Sequence, residues 1–192
     1  MSALSARHRD SLEMLNVALK LLDVPANYVL NRVREGSQNG EEVWIFRYAK
    51  RSGASNGLGG EHYSFVARKR DGRVLGCTWM DRSLADGALP EKDAAAACAW
   101  RFLDRVAPGL SGQLEVLWIE RHDERIAIIE NGKPTSIIIS GMKVKCRDKE
   151  NDDYAWVVAG PNEAIVTFER GIRWVDGRVT EKWLHDGWLQ ER

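Results

Sequence analysis

Ten residues near the end of the chain, TEKWLHDGWL (180–189), concentrate side chains able to do chemistry: Glu181, Trp183, His185, Asp186 and Trp188. A histidine oriented by a carboxylate can exchange a proton near neutral pH, which is the basis of general acid–base catalysis. Tryptophans in such a stretch suit another task, anchoring a partner surface. An Asp176-Gly177 turn, a dipeptide that tolerates the positive φ of tight hairpins, would fold this stretch back onto EAIVTFERGIRWV (163–175). Trp174 then pairs with Val179, Ile172 with Glu181, Arg170 with Trp183 and Phe168 with His185. That register makes Arg170, Glu181 and His185 a polar cluster on a mostly apolar face. The expected partner-contact residues are Trp183, His185, Asp186 and Trp188.

Other chemistries find less support. Catalysis at His185 needs a nucleophile, and the chain has no Gly-x-Ser-x-Gly elbow. His8, His62, His122 and His185 are too scattered for a metal motif such as HxH or HExxH, so no metal and no cofactor is expected. Cys77, Cys98 and Cys146 are odd in number and widely spaced, which fits neither a disulfide framework nor a CxxC knuckle. The segment SGASNGLGG (52–60) lacks the Gly-Lys-Ser/Thr ending of a phosphate loop and reads as a flexible hairpin connection.

Charge narrows the partners. Lys plus Arg and Asp plus Glu both number 28, so no strong basic field exists to hold nucleic acid or an anionic membrane. The run Arg68-Lys69-Arg70 reads as a solvated strand end. The N-terminus carries neither the apolar stretch of a secretion signal nor a membrane span, and a soluble cytoplasmic protein is expected.

The elements that would position these residues follow from periodicity. Leu12, Leu15, Leu19 and Leu22 form one apolar helical stripe, with Asp10 and Glu13 as its capping pair and Pro25 beyond its end. ANYVLNRVRE (26–35) reads as a second short helix closed by Gly36. EEVWIFRYAK and EHYSFVARKR alternate as strands, and Asp71-Gly72 turns the chain into VLGCTWMD. The clearest helix is LPEKDAAAACAWRFLDRVAPG, with Ala95, Cys98, Phe102 and Val106 as its buried stripe. Everything after Gly109 reads as strands: QLEVLWIER, ERIAIIEN, TSIIISGMKVKC, DYAWVVAG, EAIVTFERGIRWV and GRVTEKWLHD, with turns at His122-Asp123, Asn131-Gly132, Asn151-Asp152 and Asp176-Gly177. The expected class is α+β, helices packed on an antiparallel sheet. The division is residues 1–88, a helix-plus-hairpin unit, and 89–192, a helix followed by a meander, packed as one body.

RDGRVLGCTWMD and VDGRVTEKWLHD share Asp-Gly-Arg-Val, with Trp79 and Asp81 answering Trp183 and Asp186. Each block also follows a tryptophan-bearing strand, which suggests two related helix-plus-sheet repeats. The Asp-Gly-Arg-Val turn followed by a helix opening PEKDAAAACAWRFL resembles the PepSY domain of peptidase propeptides and spore proteins, over residues 41–107 and more faintly 152–186. The resemblance implies a non-catalytic module that binds or restrains a partner protein. The strands between 113 and 147 have no counterpart in that compact repeat.

The expected function is stoichiometric protein binding, as inhibitor or regulator, PepSY-like or in the manner of a bacterial immunity protein, with a toxin, peptidase or regulator as partner. The alternative is a small-molecule-binding or hydrolytic domain with a pocket around Arg170, Glu181 and His185.

Overall fold

A computed structural model describes residues 3–53, 55 and 57–192, with side chains from residue 9 onward, so the side chain of His8 lies outside the described residues. The chain runs α1 (Ala3–Leu19), β1 (Tyr28–Gln38), β2 (Glu41–Lys50), β3 (His62–Arg68), β4 (Val74–Met80), α2 (Lys92–Val106), β5 (Leu114–Glu130), β6 (Lys133–Asp148), β7 (Asp153–Ala159), β8 (Ile165–Ile172) and α3 (Asp186–Gln190). The eight strands of the described residues join one antiparallel sheet in the order β1-β2-β3-β4-β8-β7-β6-β5. Each half of the chain contributes four consecutive strands. The halves meet where Gly76, Cys77 and Thr78 of β4 pair with Glu169, Phe168 and Thr167 of β8.

This corrects the expected class. In place of α+β repeats with helices packed on a sheet stands a mostly β molecule, one continuous eight-stranded sheet accompanied by two long helices and one of five residues. Two segments shift the balance. ANYVLNRVRE, expected to be a helix closed by Gly36, instead supplies most of the edge strand β1, which is paired along its length with β2. Its Asn39-Gly40 link has φ of 53° and 84°, the positive pair of a two-residue hairpin turn. Residues 114–130, expected as two strands broken at His122-Asp123, form one long strand paired to β6 across the Asn131-Gly132 turn. The two Asp-Gly-Arg-Val blocks are not equivalent either. The first leads into the central strand β4, whereas the second pairs only through an isolated Trp174–Arg178 bridge.

Core formation explains the helices. In α2 the expected stripe of Ala95, Cys98, Phe102 and Val106 is buried, joined by Ala99 and Leu103. Phe102 meets Phe168 edge to face with centroids 5.4 Å apart. In α1 the buried stripe is Ser11, Leu15, Ala18 and, just past the helix, Leu22, while Leu12 and Leu19 are exposed. The stripe is therefore rotated from the expected leucine line, and Asp10 lies inside the helix rather than at its cap. Both helices share one core cluster with Phe46, Phe65, Val144, Val157 and Phe168. All three cysteines are buried and unpaired.

The opposite face carries a second cluster, Met80, Leu84, Ile126, Ile128, Ile139 and Trp156 among them. Here the distal part of β5 reaches the β2–β3 connection: Ala127 N donates to Gly59 O at 2.7 Å and Ile129 N to Ser55 Oγ at 2.9 Å. These bonds curl the sheet into a trough.

Candidate binding face

Residues 178–190 form a strap across this trough. Two glycines receive it. A Cβ on Gly36 would lie 2.8 Å from the Trp183 ring, and one on Gly76 would lie 2.8 Å from Leu184 Cδ1. Trp183 Nε1 also donates to Ser37 O at 2.9 Å, and Trp188 packs edge-on against Trp183 at 5.1 Å.

Polar pins fix the strap. Glu169, buried on β8, accepts both Nη groups of Arg178 and lies 2.8 Å from His185 Nε2. Burial alone would raise this carboxyl, but His185 and Arg178 together bring it down to about 2. Arg178 spends its remaining capacity on the carbonyls of Thr180 and Glu181. Asp186 accepts Arg47 Nη1 at 2.7 Å, Arg47 Nη2 at 2.9 Å and Gly59 N at 2.6 Å. Burial works against its charge as well, and Arg47 holds it below the ordinary range.

The expected hairpin is thereby corrected. Trp174 bridges Arg178 rather than Val179, and Trp183 sits on β1 rather than opposite Arg170. No hydrogen bond or ion pair links any two of Arg170, Glu181 and His185. Glu181 accepts Asn39 N at 2.9 Å, His185 is held by Glu169, and Arg170 lines a cleft at the end of the sheet. Of Trp183, His185, Asp186 and Trp188, the two tryptophan rings meet each other, whereas His185 turns to Glu169 and Asp186 to Arg47.

Beneath the strap lies a cavity of about 320 Å³, lined by His62, Thr78, Thr167, Glu124, Leu184 and His185 among others. His62 and Asp186, which line it, belong with Ser64 behind them to a serine–histidine–aspartate series that their wide separation along the chain gave no reason to expect. Ser64 Oγ is 2.7 Å from His62 Nδ1, and His62 Nε2 is 3.6 Å from Asp186 Oδ2. Burial lowers the His62 imidazole to about 4, with Arg47 adding to the effect and Asp186 opposing it. Ser64 is only 2% exposed. An attacking hydroxyl must reach its substrate, so the series serves as a satisfied polar seam under the strap. Among the described residues, no three His, Cys, Asp or Glu side chains converge to hold a metal.

The strap leaves the β5–β7 part of the trough uncovered, and there the sheet register builds a row of alternating character. Trp118 on β5 pairs with Lys145 on β6, Lys145 with Trp156 on β7, and Trp156 with Glu169 on β8. Lys145 Nζ lies 5.4 Å from the Trp118 ring, 5.1 Å from Tyr154 and 5.2 Å from Trp174. Lys143 Nζ sits 4.0 Å over Trp156, whose ring also approaches the Arg178 guanidinium at 5.6 Å. Neither lysine ammonium has an acidic partner within 4 Å among the described residues. Burial depresses the Lys143 ammonium; Glu169 opposes that shift and Lys145 reinforces it. Trp118 is 37% exposed and Trp174 is 51% exposed, with Val175 and Val179 near Trp174 in sequence exposed as well. The usable sequence signal was the period-two pattern of Lys143-Val144-Lys145 and Tyr154-Ala155-Trp156, which sends both lysines and both rings to one face.

Compared with known proteins, the chain matches no family model, no curated protein and no solved structure. No helix among the described residues is long and apolar enough to cross a membrane.

Proposed function

We propose that this chain is a non-catalytic binding module that holds a partner protein in stoichiometric contact through the uncovered aromatic–lysine part of the trough. The supporting observation is Lys145, an ammonium set among three aromatic rings with no carboxylate within 4 Å among the described residues. A cation over ring faces is stabilised by their quadrupoles yet keeps its charge for a further contact. Exposed Trp118 and Trp174 supply the large rigid area typical of interface anchors. The partner that fits presents a carboxylate flanked by apolar side chains: the acid meets Lys145 and Lys143, and the apolar groups cover the tryptophans.

An array of peptides tests this, each carrying one to three carboxylates beside leucine or phenylalanine. The unaltered protein should bind a subset. Lys145→Glu should weaken that binding by about ten-fold or more, as loss of a desolvated charge contact does. Trp188→Ala should leave binding unchanged, because Trp188 belongs to the strap. Absence of binding to every peptide, or equal binding by Lys145→Glu, would overturn the proposal.

A further inference from the structure

At one end of the sheet, away from the trough pocket, four connections wall a cleft of about 250 Å³. Its lining includes Asn39, Arg68, Arg73, Asp153, Arg170 and Arg173. Arg68 is spent: its guanidinium serves Glu41 and Asp71. The other three arginines make no side-chain hydrogen bond or ion pair among the described residues. Arg170 is half-buried, and a guanidinium carries five donors in a rigid fork. Leaving such a group desolvated and unpaired is costly. Burial, together with the like charge of Arg73, pulls the Arg170 guanidinium below its ordinary range.

We propose that this cleft is a binding site for a small oxyanion, of the class of inorganic phosphate or a phosphate monoester, received by Arg73, Arg170 and Arg173. A planar guanidinium matches a phosphoryl group with paired N–H donors, and three around one centre match its several oxygens. The acidic groups facing the cleft set the pH response. Glu41 is held by Arg68 and Arg70, and Asp71 by Arg68. Asp148 accepts Glu150 N, Asn151 N and Asn151 Nδ2. The Asp153 carboxyl makes no hydrogen bond or ion pair among the described residues. Burial, with Asp148 beside it, raises the Asp153 carboxyl to about 6, against the pull of Arg170 and Arg173. When Asp153 takes a proton, the cleft loses a negative charge and gains a donor, so anion affinity rises as pH falls through about 6. The site is independent of the aromatic face.

Titration calorimetry with inorganic phosphate and with sulfate tests the site. Sulfate keeps both charges across the range used and so isolates the protein's own titration. One saturable site is expected for both anions. Sulfate should bind more tightly at about pH 5 than at about pH 8, and Asp153→Asn should flatten that dependence. Arg170→Gln and the exposed Arg173→Gln should each weaken binding by about ten-fold. Arg101→Gln, which removes a charge on α2 far from the cleft, should leave binding unchanged. If Arg170→Gln melts early, Arg173→Gln carries the test. A linear, unsaturating response would mean an adventitious ion only, and it would overturn the proposal. So would arginine variants that bind like the unaltered protein.

Discussion

At the scale of single residues, the side chains with the strongest chemical credentials are spent on structure. Glu169 holds an ionised carboxylate in the sheet because Arg178 and His185 come to it from the strap. Removing one member of a buried pair strands the other charge. Glu169→Ala should therefore cost roughly 3–5 kcal/mol in chemical denaturation. A loss below roughly 1 kcal/mol would show that Arg178 is solvated by another route. His62 predicts a pH effect. Its folded pKa of about 4 lies below the ordinary 6.5. Between these values the unfolded chain takes up a proton that the native state refuses, so stability is present above about pH 6.5 and is lost as pH falls toward 4. The full effect is roughly 3 kcal/mol. Asp153, raised in the fold, acts with the opposite sign over much of that range. The comparison to make is between the unaltered protein and His62→Gln, in which this acid-side loss of stability should shrink. Parallel pH profiles would refute the account of His62.

At the scale of elements, the residues that were legible are those whose pattern matched a single structure. Ala95, Cys98, Phe102 and Val106 read as a helical stripe and are one. Phe102→Ala should cost roughly 3–5 kcal/mol, because it opens a cavity against Phe168. Arg101→Ala, at an exposed ion pair with Glu163, should cost at most roughly half a kcal/mol. Equal losses in thermal melts would misplace the buried side of α2. The same logic failed for β1. ANYVLNRVRE with Gly36 after it suggests a helix locally, and only pairing with β2 makes the segment a strand, although Asn39-Gly40 was a readable turn signal. GRVTEKWLHD failed in the reverse direction. It alternates like a strand, but its preferred contacts are Gly36, Gly76 and Glu169, which lie far from it in sequence. Periodicity carries no information about such seats. Gly36→Ala tests the first of them. The new methyl would press on Trp183 and Ile45, and overpacking of this kind costs roughly 1–3 kcal/mol. Limited trypsin digestion should then cut faster at Lys182. An unchanged cleavage rate would mean that Trp183 does not depend on this seat.

At the scale of the whole molecule, the two four-stranded halves share a seam of only three residue pairs between β4 and β8. So short a seam leaves much of the coupling to groups that cross it. The common core under α1 and α2 is one such group, and Arg105 Nη1 donating to Leu21 O ties α2 to the turn that follows α1. The β5 bonds to the β2–β3 connection are a second, and the strap is a third. It leaves β8, gives Arg178 to Glu169, and then pins β1 and β2 through Glu181 to Asn39 N, Trp183 to Ser37 O and Asp186 to Arg47. A chain ending at Val179 should therefore lose more than its own contacts. Local stability varies across a fold in cooperative units, and removing the strap should separate the β1–β2 unit from the rest. Native-state hydrogen exchange reads this directly. Amides of β1 and β2 around Gly36 and Ile45 should lose protection by at least about ten-fold, although they lie far before the truncation in sequence, as Asn39 and Glu181, 142 residues apart, do across their hydrogen bond. Amides of α2, β6 and β7 should change far less, because their core lies on the helix face. Uniform loss throughout would mean that the sheet unfolds as one unit with no separable edge. Loss confined to residues near position 179 would mean that the strap holds nothing beyond itself, and either result would refute its role as the tie between the halves.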